Sequence, residues 1–399
     1  MSEEQTTQSR PLLKRTLTGV LCVLAALLVI AIIVIVTSNP AGSGTDSSPV
    51  THKADDPTTT STAPPILRSS QPPPTSTPDA PGIVLARSSV YDMPDPFVLE
   101  AGGQYYMYLS NAFGDRTASN VPVLVGTPNH FGPIQDAMPD VPSWALPSDA
   151  GVNNTWDPDV VALDGRYIMY SAPTVREDPL KNPMHCLAVA VAVNPGGPFV
   201  PEGGPIVCQP SYGGDIDAQF FVDPNGPDGP AHPYYMLWKS DNNNLPGSGP
   251  CLIWVAPLSN DGLSLDGTPK VIFRPTARWE EPVMEAPQMI ISPNGSFWMF
   301  FSSGAGYYTD RYDIGVVSCN GVLGGCNPKT AHLFVNSNEQ GIAPGEETLF
   351  IAPDGSDWLL YNPWHSRIPF EPLRPAEAVR VGWSSAGPYV AEAGQFPPP

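Results

Sequence analysis

The chain has 399 residues and a formal net charge of −20, with 39 acidic side chains against 19 lysines and arginines. This charge argues against a nucleic-acid partner, because phosphate binding needs basic patches, and it fits a neutral or cationic ligand. The 51 prolines and 36 glycines suit turns and linkers better than long helices, while 41% hydrophobic residues suffice for a large globular part.

The first 36 residues predict a membrane anchor. Residues 1–16 form a polar head with three basic side chains, and residues 17–36 contain no charge. About 20 apolar residues span a bilayer as a helix, and the basic flank places the head in the cytoplasm. We therefore expect a single-pass cell-membrane protein whose C-terminal domain is extracellular; a cleaved signal peptide is the alternative.

The next stretch, residues 37–81, is rich in Ser, Thr and Pro and includes three consecutive prolines, Pro72–Pro74. It holds few large apolar residues and cannot bury a core. The composition predicts a disordered linker between the membrane and the following domain.

From residue 82 to residue 399 the pattern is that of β-strands throughout, and one design recurs five times. Each copy has an apolar run, a glycine hairpin and a second run rich in aromatic residues. The hairpin glycines recur 60 to 69 residues apart, at Gly103, Gly165, Gly226, Gly295 and Gly355. A fixed period with room for about four short strands per copy predicts an all-β domain, a five-bladed β-propeller.

Five cysteines follow the linker. Cys186 and Cys208, and likewise Cys319 and Cys326, are close enough in sequence to close short loops, and an exported location permits disulfides. We expect these two disulfides and a free, buried thiol at Cys251. The cysteines form no CxxC pair, and HExxH and GxSxG motifs are absent from the sequence, which argues against a zinc site and a serine nucleophile.

Acidic residues precede or open the first strand of every repeat. In a propeller these strands line the central channel, so their first residues converge at one end of it. The acids are Asp95, Asp157, Asp159, Asp217, Glu285, Glu346 and Glu347. Glycoside hydrolysis needs such a pair, one carboxylate to activate water and one protonated acid to protonate the leaving oxygen.

Four stretches carry a family resemblance: PDPFVL, WDPDVVALDGRYIMY, DIDAQFFVD and VMEAPQMI. Their order and spacing, from about Gly82 to the C-terminus, resemble the family 43 glycoside hydrolases. The resemblance implies a five-bladed propeller and an inverting hydrolase acting on arabinofuranosides or xylosides, with an oligo- or polysaccharide substrate. The chain departs from the family at Asp157, where a small residue is usual, and at Ala218, where proline is usual.

Matched residue by residue, the resemblance implies that Asp95 is the general base, Glu285 the general acid, and Asp217 the acid that tunes and orients Glu285. Because Met284 and Ala286 flank Glu285, and because Asp217 is to lie near it, we expect a raised pKa at Glu285. For Asp95, which must stay ionised, we expect hydrogen-bond donors nearby.

Further residues near the strand ends are candidates for substrate binding. These are Trp156, Asp159, Trp364, His365 and Arg380. No cofactor is required by this chemistry, although the resemblance admits Ca²⁺ or another ion in the central channel with His365 as a ligand. Three alternatives stay open: a carbohydrate-binding surface propeller without catalysis, a fructan-acting relative, and a structural or protein-binding propeller.

Overall fold

The computed structural model describes residues 83–86, 92–111, 119–127, 130–146, 154–178, 181–227, 229–337, 341–365 and 374–391. The predicted head, transmembrane segment and linker lie outside these residues, as do the residues after Ala391. Within the described ranges, no helix is long and apolar enough to cross a membrane.

Five antiparallel sheets follow one another along the chain and confirm the predicted five-bladed β-propeller. After β1 (Ile83–Ala86), the first blade contains β2 (Phe97–Ala101), β3 (Gln104–Tyr108), β4 (Pro122–Thr127), β5 (His130–Phe131) and β6 (Gln135–Asp136). The second contains β7 (Thr155–Leu163), β8 (Arg166–Asp178), β9 (Lys181–His185), β10 (Ala188–Ala192) and β11 (Val200–Pro201).

The third and fourth blades have four strands each. They are β12 (Asp215–Val222), β13 (Tyr234–Ser240), β14 (Leu252–Pro257) and β15 (Lys270–Phe273), then β16 (Val283–Ile291), β17 (Phe297–Gly304), β18 (Tyr312–Cys319) and β19 (His332–Val335). The fifth blade contains β20 (Thr348–Ile351), β21 (Asp357–Tyr361), β22 (Ala376–Ser384) and β23 (Gly387–Ala391). Short 3-10 helices lie at Pro210–Tyr212, Asn242–Asn244, Arg278–Glu280 and Pro328–Thr330.

The start of the described chain closes the ring. Strand β1 pairs antiparallel with β22 of the fifth blade, with Ile83 opposite Ala378. The last blade is therefore built from both ends of the domain, and its outer edge is covered by β1 and β23 together. The repeat pattern did not predict this contribution of β1.

Apolar side chains form five separate clusters, one at each junction between neighbouring blades. The junction of the third and fourth blades, for example, packs Leu237 and Val255 against Met299 and Phe301, all fully buried. At the closing junction Met107 of the first blade packs with Leu360 of the fifth. Because both faces of each blade are covered, strands such as β13 and β17 are apolar nearly throughout, which is the pattern seen in their sequences.

Four of the five predicted hairpin glycines have positive φ, whereas Gly226 does not and lies in the longer connection between β12 and β13. In the β7–β8 hairpin, Asp164 and Gly165 both have positive φ, +50° and +74°. That pair of left-handed residues is the type I′ turn, which matches strand twist and favours Asp-Gly. Each hairpin reverses the chain, so the second strand of a blade runs back toward the end of the channel at which its inner strand begins.

The predicted disulfides are present. Cys186 is bonded to Cys208 and Cys319 to Cys326. Cys251 is free and buried, as expected.

Candidate active site

One backbone conformation recurs where each inner strand begins. The residue at this position has left-handed φ in all five blades, at Asp95 (+50°), Asp157 (+52°), Asp217 (+58°), Ala286 (+50°) and Glu346 (+53°). In the second, third and fourth blades the register of the inner pair also shifts there, which marks a β-bulge. Such a bulge redirects a side chain, and non-glycine residues with positive φ cluster at functional sites.

The fourth blade differs from the others at this position. Ala286 has the left-handed conformation, and the carboxylate belongs to the preceding residue, Glu285. Glu285 is therefore displaced by one residue from the positions of Asp95 and Asp217 in their blades. Its surroundings differ accordingly.

In the second to fifth blades, the residue two positions further on fastens the inner strand to the next blade. Gln219 exchanges two hydrogen bonds with the backbone of Met289, at 2.7 and 3.0 Å, and Gln288 accepts one from the Leu349 N–H at 3.0 Å. The Thr348 hydroxyl donates to the Pro96 carbonyl, which joins the fifth blade to the first. These contacts hold neighbouring inner strands together at this end of the channel.

Asp159 occupies the same latch position in the second blade. Its carboxylate is bonded to the backbone of Phe220 in the third blade, and burial raises its pKa to about 8 against that hydrogen bond. It also borders the small cavity at the floor of the site. The structure thus shows a contact between blades for a residue predicted to bind substrate.

On the fourth-blade side, Glu285 is held by both carboxylate oxygens. Lys239, near the end of β13, donates to its Oε2 at 2.8 Å and to Asp241 Oδ1 at 2.8 Å. Tyr312, the first residue of β18, donates to Glu285 Oε1 at 2.6 Å. Lys239, Asp241 and Tyr312 are all fully buried.

The pKa of Glu285 is therefore lowered in this structure. Burial opposes its charge, but the Lys239 ammonium and the hydrogen bonds from Lys239 and Tyr312 outweigh burial. The raised pKa expected from Met284 and Ala286 is wrong, because a cation 46 residues earlier in the chain dominates over the adjacent apolar residues.

Asp217 lies beside Glu285, as the resemblance implies. Its Oδ2 accepts the Ala286 N–H at 2.7 Å, which fixes the peptide next to Glu285. Burial raises the pKa of Asp217 to about 7, against the positive charge of Lys239 and with the negative charge of Glu285 adding to the rise. Asp217 is thus a partner of Glu285 both through the backbone and through its charge.

Asp95 lies across the channel mouth and is partly exposed. Burial raises its pKa, against the charge of Arg374 and hydrogen bonds from Ser110 and Asp157. The expected donors are therefore present, and Asp157 is one of them. Burial and the charges of Asp217 and Asp95 raise the pKa of Asp157 well above its usual range, which favours its protonated, hydrogen-bond-donating form.

Arg374 precedes β22 and was not recognised from the sequence. It is buried and forms a forked ion pair with Asp92, at 2.8 Å between Nη2 and Oδ2. Its guanidinium lies 4.8 Å from the ring centre of Tyr307 and 5.2 Å from that of Trp364. Trp364 also donates to the Tyr307 carbonyl, so these three residues form one wall near Asp95.

The other predicted substrate-binding residues are scattered. Trp156, next to Asp157, stacks on the buried ring of His185 with the centroids 3.9 Å apart. His365 is about one-third exposed and is bonded through Nε2 to Glu377 at 2.6 Å. Arg380 lies within β22, which is separated from the channel by β20 and β21, and is not brought to the site.

Three carboxylates, Asp95, Asp157 and Glu346, have oxygens within 4.8 Å of one another. A hard cation would need them ionised. Asp157 instead hydrogen-bonds to both Asp95 and Asp217, and two hydrogen bonds among three carboxyl groups require two protons shared among them. We assign no metal ligands here, and this group does not extend to His365; a channel ion stays a prediction.

Sequence comparison gives a family match. The profile of glycosyl hydrolases family 43 matches residues 89–386. A protein described as "Xylosidase/arabinosidase", from Bacteroides ovatus, is 30% identical over 150 residues, which cover 33% of this chain and 42% of that one. The aligned part is thus less than half of that relative.

Structural comparison gives similar folds. The crystal structure of a thermostable family-43 glycoside hydrolase superposes with a TM-score of 0.61 at 20% identity, covering 78% of this chain and 98% of the other. An α-L-arabinofuranosidase from Lactobacillus brevis gives 0.58 at 19% identity, with 78% and 94% covered. At these identities the likeness concerns the fold.

Proposed function

Because the chain belongs to family 43 of the glycosyl hydrolases, we propose that it cleaves arabinofuranosyl or xylosyl linkages in an oligo- or polysaccharide with inversion of configuration. Asp95 acts as general base, Glu285 as general acid, and Asp217 orients Glu285. The names of the relatives, an arabinofuranosidase and a xylosidase/arabinosidase, support this choice of sugars.

The observation that carries the proposal is the convergence of acids from separate blades at one end of the channel. The first, third and fourth blades contribute Asp95, Asp217 and Glu285, and the charges of all three act on Glu346 between them. Separate carboxylates in different surroundings are what an acid–base pair needs. A propeller that only bound sugars would not require them.

The chemistry divides between the two sides. Asp95, which Ser110 and Arg374 help to keep ionised, takes a proton from the water that attacks the anomeric carbon. Glu285 gives a proton to the leaving oxygen, and Asp217 holds the neighbouring peptide in place. Since a water must lie between base and sugar, the product has the opposite anomeric configuration.

The wall of Trp364, Tyr307 and Arg374 supplies a surface for the substrate beside Asp95. Sugars present C–H faces that pack on aromatic rings, and a guanidinium donates to hydroxyl groups. We therefore assign Trp364 and Arg374 to substrate binding, while binding roles for Trp156, Asp159 and His365 stay predictions and Arg380 lies away from the site. A cell-membrane location with the propeller outside is part of the proposal and rests on the apolar segment 17–36.

A hydrolysis screen tests the proposal. The purified propeller domain is incubated with arabinan, xylan, cell-wall arabinogalactan and chromogenic arabinofuranosides and xylosides, and proton NMR follows the anomer released before mutarotation. We expect turnover of at least one pentoside, with inversion. No turnover of any of them would contradict the activity, and retention of configuration would contradict the role of Asp95 as a base.

A further inference from the structure

The Tyr312 hydroxyl lies between two carboxylates that belong to different blades. It is 2.6 Å from Glu285 Oε1 and is also hydrogen-bonded to Glu346 Oε1. Tyr312 is fully buried, and Glu346 is tied to the fourth blade by its own N–H, which donates to Ser302 Oγ at 2.8 Å. The three groups thus form a fixed row of oxygen atoms.

Counting protons along this row assigns its charge. A phenol has one proton to donate, and an ionised carboxylate can only accept. Tyr312 can therefore bond to both carboxyl groups only if one of them carries a proton. Lys239 is 2.8 Å from Glu285 Oε2 and holds Glu285 ionised, so the protonated member is Glu346.

The electrostatic surroundings of Glu346 agree with this assignment. The acidic groups that face it are Glu285, Asp95, Asp217 and Asp157, and both Tyr312 and Glu285 are its hydrogen-bond partners. Burial and the charges of Glu285, Asp95 and Asp217 raise the pKa of Glu346 well above its usual range.

The row continues on the other side to the proposed base. Carboxylate oxygens of Glu346 and Asp95 lie within 4.8 Å of each other. Both residues line a cavity of about 20 Å³ at the floor of the site, which is room for one water molecule. A proton can therefore pass between them through one water.

We propose that Glu346 and Tyr312 form a proton return path that carries the proton taken up by Asp95 back to Glu285. This inference rests on the proposed function. Before the reaction, the Glu346 proton moves to the Tyr312 oxygen while the Tyr312 proton moves to Glu285, leaving Glu346 ionised and Glu285 neutral. Neither Glu346 nor Tyr312 needs to touch the substrate.

The cycle then balances. Water adds its hydroxyl to the anomeric carbon and its proton to Asp95, while Glu285 protonates the leaving oxygen as the glycosidic bond breaks. Asp95 next passes its proton to ionised Glu346, which restores the starting state with Asp95 and Glu285 both ionised. The path supplies Glu285 with a proton in each turnover, although Lys239 favours its ionised form.

A spectroscopic experiment tests the stored proton independently of activity. The infrared difference spectrum between wild type and Glu346→Gln at neutral pH is expected to show the loss of one protonated-carboxyl band. The matched control, Glu202→Gln at an exposed glutamate, should show none. An unchanged protonated-carboxyl region in Glu346→Gln would overturn the assignment, even if the chain turned over no pentoside.

A kinetic experiment tests the use of that proton. Tyr312→Phe should lower turnover about 100-fold for a pentoside with a sugar leaving group and less than about threefold for one with an activated phenol, which needs no acid. Added imidazole, a mobile proton carrier, should restore part of the lost rate. Tyr106→Phe, which removes a hydroxyl from the first blade, serves as control. Equal losses on both substrates without rescue, or an undiminished rate on the sugar leaving group, would overturn the path.

Discussion

The two sides of the channel mouth hold their carboxylates in opposite ways. Asp95 is partly exposed, and burial raises its pKa although Arg374 and Ser110 favour its charge. Glu285 is buried, and Lys239 and Tyr312 occupy both of its oxygens and lower its pKa. The proposed base is thus open to water, whereas the proposed acid is enclosed, and in the path proposed above its proton comes from within the protein. The difference teaches that position in a blade does not decide the role of a carboxylate; its partners do.

The largest expected effect comes from removing either carboxylate. Asp95→Ala and Glu285→Ala should each lower kcat/KM by about 10²–10⁴-fold, the usual contribution of an acid or base group. On a substrate with an activated leaving group, which needs no acid, Glu285→Ala should lose little kcat/KM. Asp95→Ala should still lose it, because water must be deprotonated with either substrate. Steady-state kinetics on two aryl pentosides checks this, with exposed Asp140→Ala as control. Wild-type rates in either folded variant would refute the assignment.

Replacing Lys239, the cation beside Glu285, tests the contrast between Glu285 and Asp95. Lys239→Met leaves Asp241 and Glu285 buried without their partner and should lower the free energy of unfolding by about 3–5 kcal/mol. It should also raise the pKa of Glu285, so the alkaline limb of the pH profile of kcat/KM moves to higher pH.

Denaturant unfolding and pH–rate profiles measure both effects of Lys239→Met. The control is Lys270→Met at the exposed start of β15, expected within about 0.5 kcal/mol of wild type. An unmoved alkaline limb in Lys239→Met would show that Lys239 does not set the charge of Glu285.

A further effect, spread over several pH units, concerns a latch between blades. The pKa of Asp159 is raised by burial from 3.8 to about 8, so the folded state holds a proton that the unfolded chain has lost. The contribution of Asp159 to the free energy of unfolding should therefore be fully present below about pH 3.8 and be lost as the pH rises toward about 8. Asp159→Asn removes that titrating group. The free energy of unfolding should then decrease with pH less steeply than in wild type, by up to about 1.4 kcal/mol per pH unit.

Urea unfolding at several pH values across this window measures the slope for wild type and Asp159→Asn. Asp140→Asn, at an exposed position, should leave the slope unchanged. Parallel slopes for wild type and Asp159→Asn would mean that Asp159 is ionised in the folded protein.

The sequence predicted what repeats along the chain. Hairpin glycines such as Gly165 and acids such as Asp95 and Asp217 recur with the blade period, so the fold and the convergence of these acids could be inferred. The disulfides were predictable because each pair closes a short loop. The residues that contact Asp95 and Glu285 do not recur with the blade period, so the repeat pattern could not predict them.

Residues outside the inner strands were the ones missed. Lys239 lies near the end of a second strand, and Tyr312 and Arg374 lie at the start of third strands, which reach the same end of the propeller. A charged residue within the apolar run YYMLWKS was an available signal, since a buried lysine requires partners. Which partners it finds depends on how neighbouring blades pack, and the adjacent residues Met284 and Ala286 gave the wrong direction for Glu285.

The pairing of β1 with β22 also has a consequence for how the protein is made. Ile83 emerges from the ribosome long before its partner Ala378, and closing so long a loop is entropically costly. A chain truncated after the fourth blade would lack Arg374, Glu346 and the closing junction, and would leave blade edges unpaired. Such edges favour aggregation and slow, non-local folding. Synthesis must therefore be nearly complete before the first and last blades can enclose a working channel.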